Sequence, residues 1–187
     1  MTRDQAVQLN ALGLYGISAV LAVAFAGQII LNELPCPLCM LQRMQFALLA
    51  VGPILNIRYG PRPSHYAMSL LAALLGAAIA ARQIALHILP GDAGYGSALL
   101  GYHYYTWAFI AFAMSMVLIA LIMLFDRQFE RESSLSAASS PTTIDSVLIR
   151  MSVWLVIALV GLNVVSTVAM CGFDACSSDP TEYRLLR

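Results

Sequence analysis

The chain has 187 residues, of which 60% are hydrophobic and only 11% charged, and its mean hydropathy is +0.77. A soluble domain carries roughly 25% charged residues. The formal net charge is zero, so no basic excess indicates a nucleic-acid partner, for which positive charge supplies most of the affinity. The composition therefore predicts an integral membrane protein whose surroundings are the lipid bilayer.

Five apolar segments have the length of a membrane span, which is roughly 17–25 residues. Inside a bilayer each segment has to satisfy its own backbone polar groups, so helices are expected. We predict an all-α membrane protein with a four-helix bundle over residues 1–130, a flexible cytoplasmic linker over 131–146, and a fifth helix with a cysteine-containing tail over 147–187. The predicted spans are Leu12–Leu31, Leu38–Leu55, Ala67–Leu89, Tyr105–Phe125 and Val147–Met170.

The positions of the arginines predict the direction in which these spans cross the membrane. Arginines lie at the N-terminus, between the second and third spans, and around the connection of the fourth and fifth spans: Arg3, Arg58, Arg62, Arg127, Arg131 and Arg150. Because basic residues are retained on the cytoplasmic side, these regions and the N-terminus are predicted to be cytoplasmic. The opposite face then holds all four cysteines and the C-terminus. Arg184 and Arg187 in the tail oppose this orientation, although five spans and an internal N-terminus require an external C-terminus.

The segment Cys36-Pro37-Leu38-Cys39 places two thiols at the start of the second span. Pro37 favours an extended chain followed by a helix, which puts Cys39 in the first turn. The partial positive charge of a helix N-terminus stabilises a nearby thiolate. Arg43 follows one turn deeper on the same face, where an intramembrane arginine needs a specific partner. That partner is expected to be the Cys39 thiolate or the carbonyl of a bound quinone, with Gln42 nearby.

The four cysteines are predicted to form disulfides, because they lie on the oxidising side of the membrane. The short spacings favour Cys36 with Cys39 and Cys171 with Cys176. One alternative is that both pairs are purely structural in a non-catalytic scaffold or assembly protein. Another is a metal- or haem-binding membrane protein, in which His87 or His103 would complete the ligands of a zinc ion. Covalent haem is disfavoured because methionine, not histidine, follows the second thiol.

Two stretches carry a resemblance to a known family. Pro35-Cys36-Pro37-Leu38-Cys39 with Gln42-Arg43, and Ala81-Arg82-Gln83 leading to Leu86-His87 and Pro90, resemble the signature of the disulfide bond formation protein B (DsbB) family. The resemblance covers roughly residues 10–125. It implies a bacterial inner-membrane enzyme that supports disulfide bond formation. Such an enzyme passes electrons from a periplasmic thioredoxin-fold dithiol oxidase (DsbA-like) to ubiquinone or menaquinone.

The same resemblance implies roles for individual residues. Cys36 and Cys39 become the redox pair beside the quinone. Arg43 would lie against the quinone ring, and His87 near the point where the third span closes the quinone pocket. Together with these two, Gln42 and Arg82 complete the predicted cofactor-binding set.

The chain departs from the family pattern at its second external loop, where members carry another cysteine pair. Here the loop contains none, and a fifth span instead delivers Cys171 and Cys176 to the same side. This tail pair is predicted either to relay electrons to Cys36 and Cys39 or to close a structural turn. A further alternative is that the protein acts on a different partner directly through Cys36 and Cys39. His103 and Tyr105 near the same loop either anchor the chain at the membrane interface or line a quinone cleft.

Overall fold

The computed structural model describes residues 1–130, 143–172, 176, 180 and 182–186. Within these residues, five helices are each long and apolar enough to cross a membrane. They are α1 (Arg3–Ile30), α2 (Pro37–Tyr59), α3 (Pro63–Leu86), α4 (Tyr104–Met123) and α5 (Thr143–Cys171). A two-stranded hairpin precedes α4, with β1 (Ala98–Leu99) paired to β2 (Tyr102–His103). The predicted all-helical, multi-pass membrane fold is confirmed.

Helix α1 begins at Arg3, well before the predicted start at Leu12. The cause is a capping box: the Thr2 hydroxyl accepts a hydrogen bond from the Gln5 amide at 3.3 Å, and the Gln5 side chain accepts one from the Thr2 amide at 2.9 Å. This arrangement satisfies two of the free N–H groups that every helix start exposes.

The ends of the other helices also differ from the prediction. Helix α2 ends at Tyr59 instead of Leu55, and α3 begins at Pro63 instead of Ala67. Helix α3 ends at Leu86 instead of Leu89, where the amide of His87 turns back to the carbonyl of Ile84. Most of the predicted linker, residues 131–142, lies outside the described residues. Helix α5 starts at Thr143, so the last residues assigned to that linker are helical.

The helices pack in a simple order. Helix α2 contacts α1 and α3, α3 contacts α4, and α5 lies against the outer side of α1. The centre of the bundle is a stacked pair, Phe46 on α2 and Phe112 on α4, with ring centroids 4.0 Å apart. Phe112 reaches it over Gly76, where any side chain would collide with the ring. Small residues at such contacts let membrane helices approach closely.

A buried polar network joins the helices at the end of the bundle away from the cysteines. The Asn10 side chain donates to the Tyr66 hydroxyl at 2.9 Å, and Asn56 donates to Asn10 at 3.0 Å. His65 hydrogen-bonds the Asn56 carbonyl oxygen at 2.9 Å, and Tyr66 donates to Gln128 at 3.0 Å. Buried polar groups are costly unless paired, so this network fixes how the ends of α1, α2 and α3 meet.

Candidate functional site

The first cysteine pair is built into the start of α2. Cys36 is the N-cap residue in extended conformation, and Pro37 occupies the first helical position, where its missing N–H costs nothing. The amide of Cys39 donates to the Cys36 sulfur at 3.1 Å, so the helix N-terminus acts directly on Cys36. Cys36 and Cys39 are joined by a disulfide, which confirms the predicted pairing.

A glutamine on α3 contacts both sulfurs of this disulfide. The Gln83 side-chain nitrogen lies 3.3 Å from the Cys36 sulfur and 3.5 Å from the Cys39 sulfur. Its orientation is set by Gln42, whose amide nitrogen donates to the Gln83 oxygen at 2.8 Å. Both glutamines are buried. Arg82, the predicted site residue of this turn, is exposed, and its neighbour Gln83 reaches the disulfide.

Arg43 finds its partners on α1. One guanidinium nitrogen donates to the Gln28 side-chain oxygen at 2.7 Å, and the other donates to the Ala24 carbonyl at 2.9 Å. The guanidinium also lies 5.5 Å from the centre of the Phe25 ring, within range of a cation–π contact. These contacts hold the charge on the inner wall of the bundle, a turn below the disulfide.

A long cavity of about 730 Å³ runs down the bundle from this point. Its walls are α1 and α4, and α2 forms its floor. Cys39, Gln42 and Arg43 line its polar end, while most of its remaining lining is apolar, including Val20, Leu21, Phe46, Ala111, Met114 and Leu118. Of the described residues, neither Arg82 nor His87 contributes to this lining. The size is that of a typical small-molecule site.

His87 lies in a cluster at the cysteine end of α3, and Tyr105 of this cluster also lines the cavity. The Nδ1 atom of His87 pairs with the Asp92 carboxylate at 3.1 Å, and its ring stacks on Tyr105, which also stacks on His103. The Gly94 amide and the His87 ring together hold the pKa of Asp92 below its usual value. Within the described residues, no three His, Cys, Asp or Glu side chains gather as a metal site would require.

Hydrogen bonds join the two loops at the cysteine end of the bundle. The Tyr95 hydroxyl donates to the Leu34 carbonyl at 2.7 Å, and the Ser97 amide donates to the Glu33 carboxylate at 3.0 Å. The Trp107 indole donates to the Leu99 carbonyl at 2.9 Å. Leu34, Tyr95 and Leu99 also line the mouth of the cavity, so the hairpin loop helps to cover the polar end.

The second cysteine pair packs near the first. Cys171 ends α5 and forms a disulfide with Cys176, as the spacing predicted. Cys171 is buried in an apolar cluster with Met40 and Met170, against which Leu34, Cys176 and Tyr183 are packed. Because Met40 directly follows Cys39, the tail disulfide lies against the first turn of α2.

Comparison with known proteins identifies a family for part of the chain. The family model described as "Disulfide bond formation protein DsbB" matches residues 6–98, which include both cysteines of α2, Arg43 and Gln83. The chain belongs to the DsbB family through these residues. The matched region ends before α4 and α5, so the family comparison does not cover the far wall of the cavity or the tail disulfide.

Curated relatives match part of this DsbB-family chain. It is 40% identical over 86 residues to "Disulfide bond formation protein B" of Xanthomonas axonopodis pv. citri, covering 43% of this chain and 50% of the relative. Identity to the protein of the same name from Marinobacter nauticus is 37% over 79 residues, covering 40% of this chain and 47% of the relative. The chain thus spans about half the length of the curated relatives it matches. No solved structure matches the chain significantly.

Two residues of the site in this DsbB-family chain were not predicted from its sequence. Gln28 stands in an otherwise apolar helical stretch and Gln83 follows Arg82 in a largely apolar one, and a polar side chain in a membrane span indicates a specific partner. That signal was present for both glutamines. Their partners belong to other helices, and the spacing of residues along one chain does not reveal them.

We expect Gln83→Leu to slow alkylation of the reduced Cys39 thiol by iodoacetamide roughly tenfold at fixed pH, because a hydrogen bond to a charged group contributes about 1.5–3 kcal/mol and the thiolate is the reactive form. The rate is measured by mass spectrometry of the labelled peptide. Arg82→Leu is the matched control, one residue away and exposed, and its rate should equal that of the wild type. Equal rates in all three proteins would show that Gln83 does not stabilise the thiolate.

Proposed function

We propose that the protein is a membrane thiol:quinone oxidoreductase that supports disulfide bond formation, with Cys36 and Cys39 as its redox pair and ubiquinone or menaquinone as its electron acceptor. One observation carries the proposal: Cys39 and Arg43 line the polar end of a long cavity that is otherwise largely apolar. Membership of the DsbB family supports the same reading.

The cavity has the chemical character that a quinone requires. A quinone combines a ring bearing carbonyl oxygens with an apolar isoprenoid chain. Arg43 and Gln42 offer hydrogen-bond donors at the polar end, and the walls of α1 and α4 offer apolar surface along the length. When bound, a quinone supplies the oxidising power, taking up two electrons and two protons and leaving as the quinol.

The protein's own thiols carry out the other half of the reaction. A partner thiolate attacks an enzyme disulfide, which forms a mixed disulfide and releases one enzyme thiolate. The partner's second thiolate then attacks the partner sulfur of the mixed disulfide, which releases the other enzyme thiolate and leaves the partner oxidised to a disulfide. Cys36 and Cys39 are left as a dithiol, which returns to the disulfide when two electrons and two protons pass on. Gln83 and the helix N-terminus stabilise the thiolates during these steps, and Arg43 orients the acceptor.

The arrangement of charge supports a periplasmic site. Arg3 lies beside Gly60 in the structure, so the arginines of the N-terminus and of the turn after α2 gather at one end of the bundle. Both disulfides lie at the other end. By the positive-inside rule the first end is cytoplasmic, which leaves the N-terminus inside, the C-terminus in the periplasm, and the cysteines facing an oxidising compartment of a bacterial inner membrane. Among the described residues, Arg184 in the tail and Arg82, the neighbour of Gln83, lie at the cysteine end and oppose this orientation.

The tail disulfide is proposed to relay electrons from a periplasmic thioredoxin-fold dithiol oxidase of the DsbA-like kind. Cys176 is partly exposed whereas Cys171 is buried, so the partner thiolate would attack the Cys176 sulfur and free the Cys171 thiolate. Packing of this pair against Leu34 and Met40 supports transfer to the first pair. This tail pair would do the work of the loop cysteines that the chain lacks.

We expect Cys39→Ser to abolish reduction of a soluble ubiquinone analogue by a small dithiol, because the variant can no longer form the disulfide of the redox pair. Quinone absorbance follows the reaction in purified protein. Leu41→Ala, which changes a lipid-exposed residue two positions away, should retain wild-type turnover. Persistent turnover in Cys39→Ser would remove this pair from the reaction, and an inactive wild type would favour a non-catalytic scaffold.

The relay is tested by comparing two electron donors, a small dithiol and a protein, in wild type and in a variant without the tail cysteines. The double variant Cys171→Ser/Cys176→Ser should reduce quinone normally with a small dithiol but at least tenfold more slowly with a reduced thioredoxin-fold oxidase, because only the protein donor needs an exposed entry point. The measurement is the ratio of the two rates in wild type and variant. An unchanged ratio would make the tail disulfide structural.

A further inference from the structure

Gln28 connects the arginine of the site to the fifth helix and the tail. Its side-chain oxygen accepts the bond from Arg43, and its side-chain nitrogen donates to the Ser166 hydroxyl at 2.7 Å and to the Tyr183 hydroxyl at 2.8 Å. The Gln28 side chain is buried, with 3% of the residue exposed. All three of its bonds therefore form inside the protein, where water offers no replacement.

The chemistry of these groups fixes the direction of every bond. A guanidinium can only donate hydrogen bonds, so the Gln28 oxygen has to face Arg43. Both hydrogens of the Gln28 nitrogen then point towards α5 and the tail, where the Ser166 and Tyr183 hydroxyls accept them. If either acceptor is lost, a buried N–H is left without a partner, which is unfavourable.

We propose that Ser166 and Tyr183 are positioning residues for Arg43, acting through Gln28. Arg43 donates hydrogen bonds to two groups on α1, the Gln28 oxygen and the Ala24 carbonyl, and only the first belongs to a side chain that can rotate. The role of the arginine towards a quinone rests on the proposed function, whereas its positioning does not. Residues beyond the family-matched region would in this way control the site within it.

Packing explains why Tyr183, although it lies in the tail, has a defined position. Tyr183 packs against the cluster formed by Met40, Met170 and Cys171, so its ring is held beside the first turn of α2 while its hydroxyl reaches Gln28. Ser166 lies on the face of α5 that contacts α1, one of the closely packed helix pairs of the fold. The two acceptors thus come from separate elements and converge on one amide.

The test is to remove one hydroxyl and ask whether Arg43 becomes more reactive. Tyr183→Phe is compared with Tyr15→Phe, which deletes another α1–α5 hydrogen bond, from the Tyr15 hydroxyl to the Leu148 carbonyl at 2.9 Å. Phenylglyoxal modification of Arg43 is followed by mass spectrometry in the full-length protein. We expect a rate roughly 2- to 10-fold above wild type in Tyr183→Phe and an unchanged rate in Tyr15→Phe. Equal rates in the two variants overturn the proposal.

Ser166→Ala serves as the second variant if Tyr183→Phe does not fold, with the same expected rise in modification rate. A kinetic readout then separates the two proposals. In thiol-dependent quinone reduction, Tyr183→Phe should raise the KM for quinone roughly 2- to 10-fold with little change in kcat. An inactive wild type contradicts the proposed function, whereas the positioning of Arg43 is still tested by the phenylglyoxal modification rates. An active wild type with equal Arg43 reactivity in both tyrosine variants contradicts only the positioning.

Discussion

A charged guanidinium has to be held inside an apolar bundle, and the architecture around the site follows from that requirement. Lipid offers no hydrogen-bond partners, so an intramembrane arginine depends on groups from the protein. Arg43 takes a backbone carbonyl and a glutamine oxygen from α1. The disulfide above it takes a glutamine nitrogen from α3. The disulfide and the charge are therefore fixed by helices other than the one that carries them.

The region that matches the DsbB family and the region beyond it supply different parts of the site. Residues 6–98 contribute the first cysteine pair, Arg43 and the three glutamines around them. The second wall of the cavity comes from α4, and the acceptors behind Gln28 come from α5 and the tail. The family-matched half thus holds the reactive groups, while the remainder shapes the cavity and supports the arginine. Helix α1 carries the hydrogen-bond partners of Arg43. Because α5 packs against α1, residues beyond the matched region lie next to those partners.

Local patterns predicted much of this arrangement, and long-range contacts explain the rest. Apolar runs of sufficient length located all five helices, and the proline beside Cys36 located the start of α2. The start of α1 at Arg3 could also have been predicted from the sequence, because Thr2 and Gln5 have the spacing of a capping box. The contacts of Gln83 with the disulfide and of Gln28 with Tyr183 were not predictable, since they join residues far apart in the chain. His87 lies at the helix end that was expected but pairs with Asp92 and Tyr105 instead of lining the cavity.

The account depends on the cavity being the place where a quinone binds, and photolabelling with an azidoquinone tests that directly. The purified protein is irradiated with the probe, and labelled peptides are mapped by mass spectrometry with and without excess ubiquinone analogue. The account predicts labels on the inner faces of α1, α2 and α4, close to Arg43, that disappear with competitor. Labels confined to the lipid-facing surface, or insensitive to competitor, would contradict it.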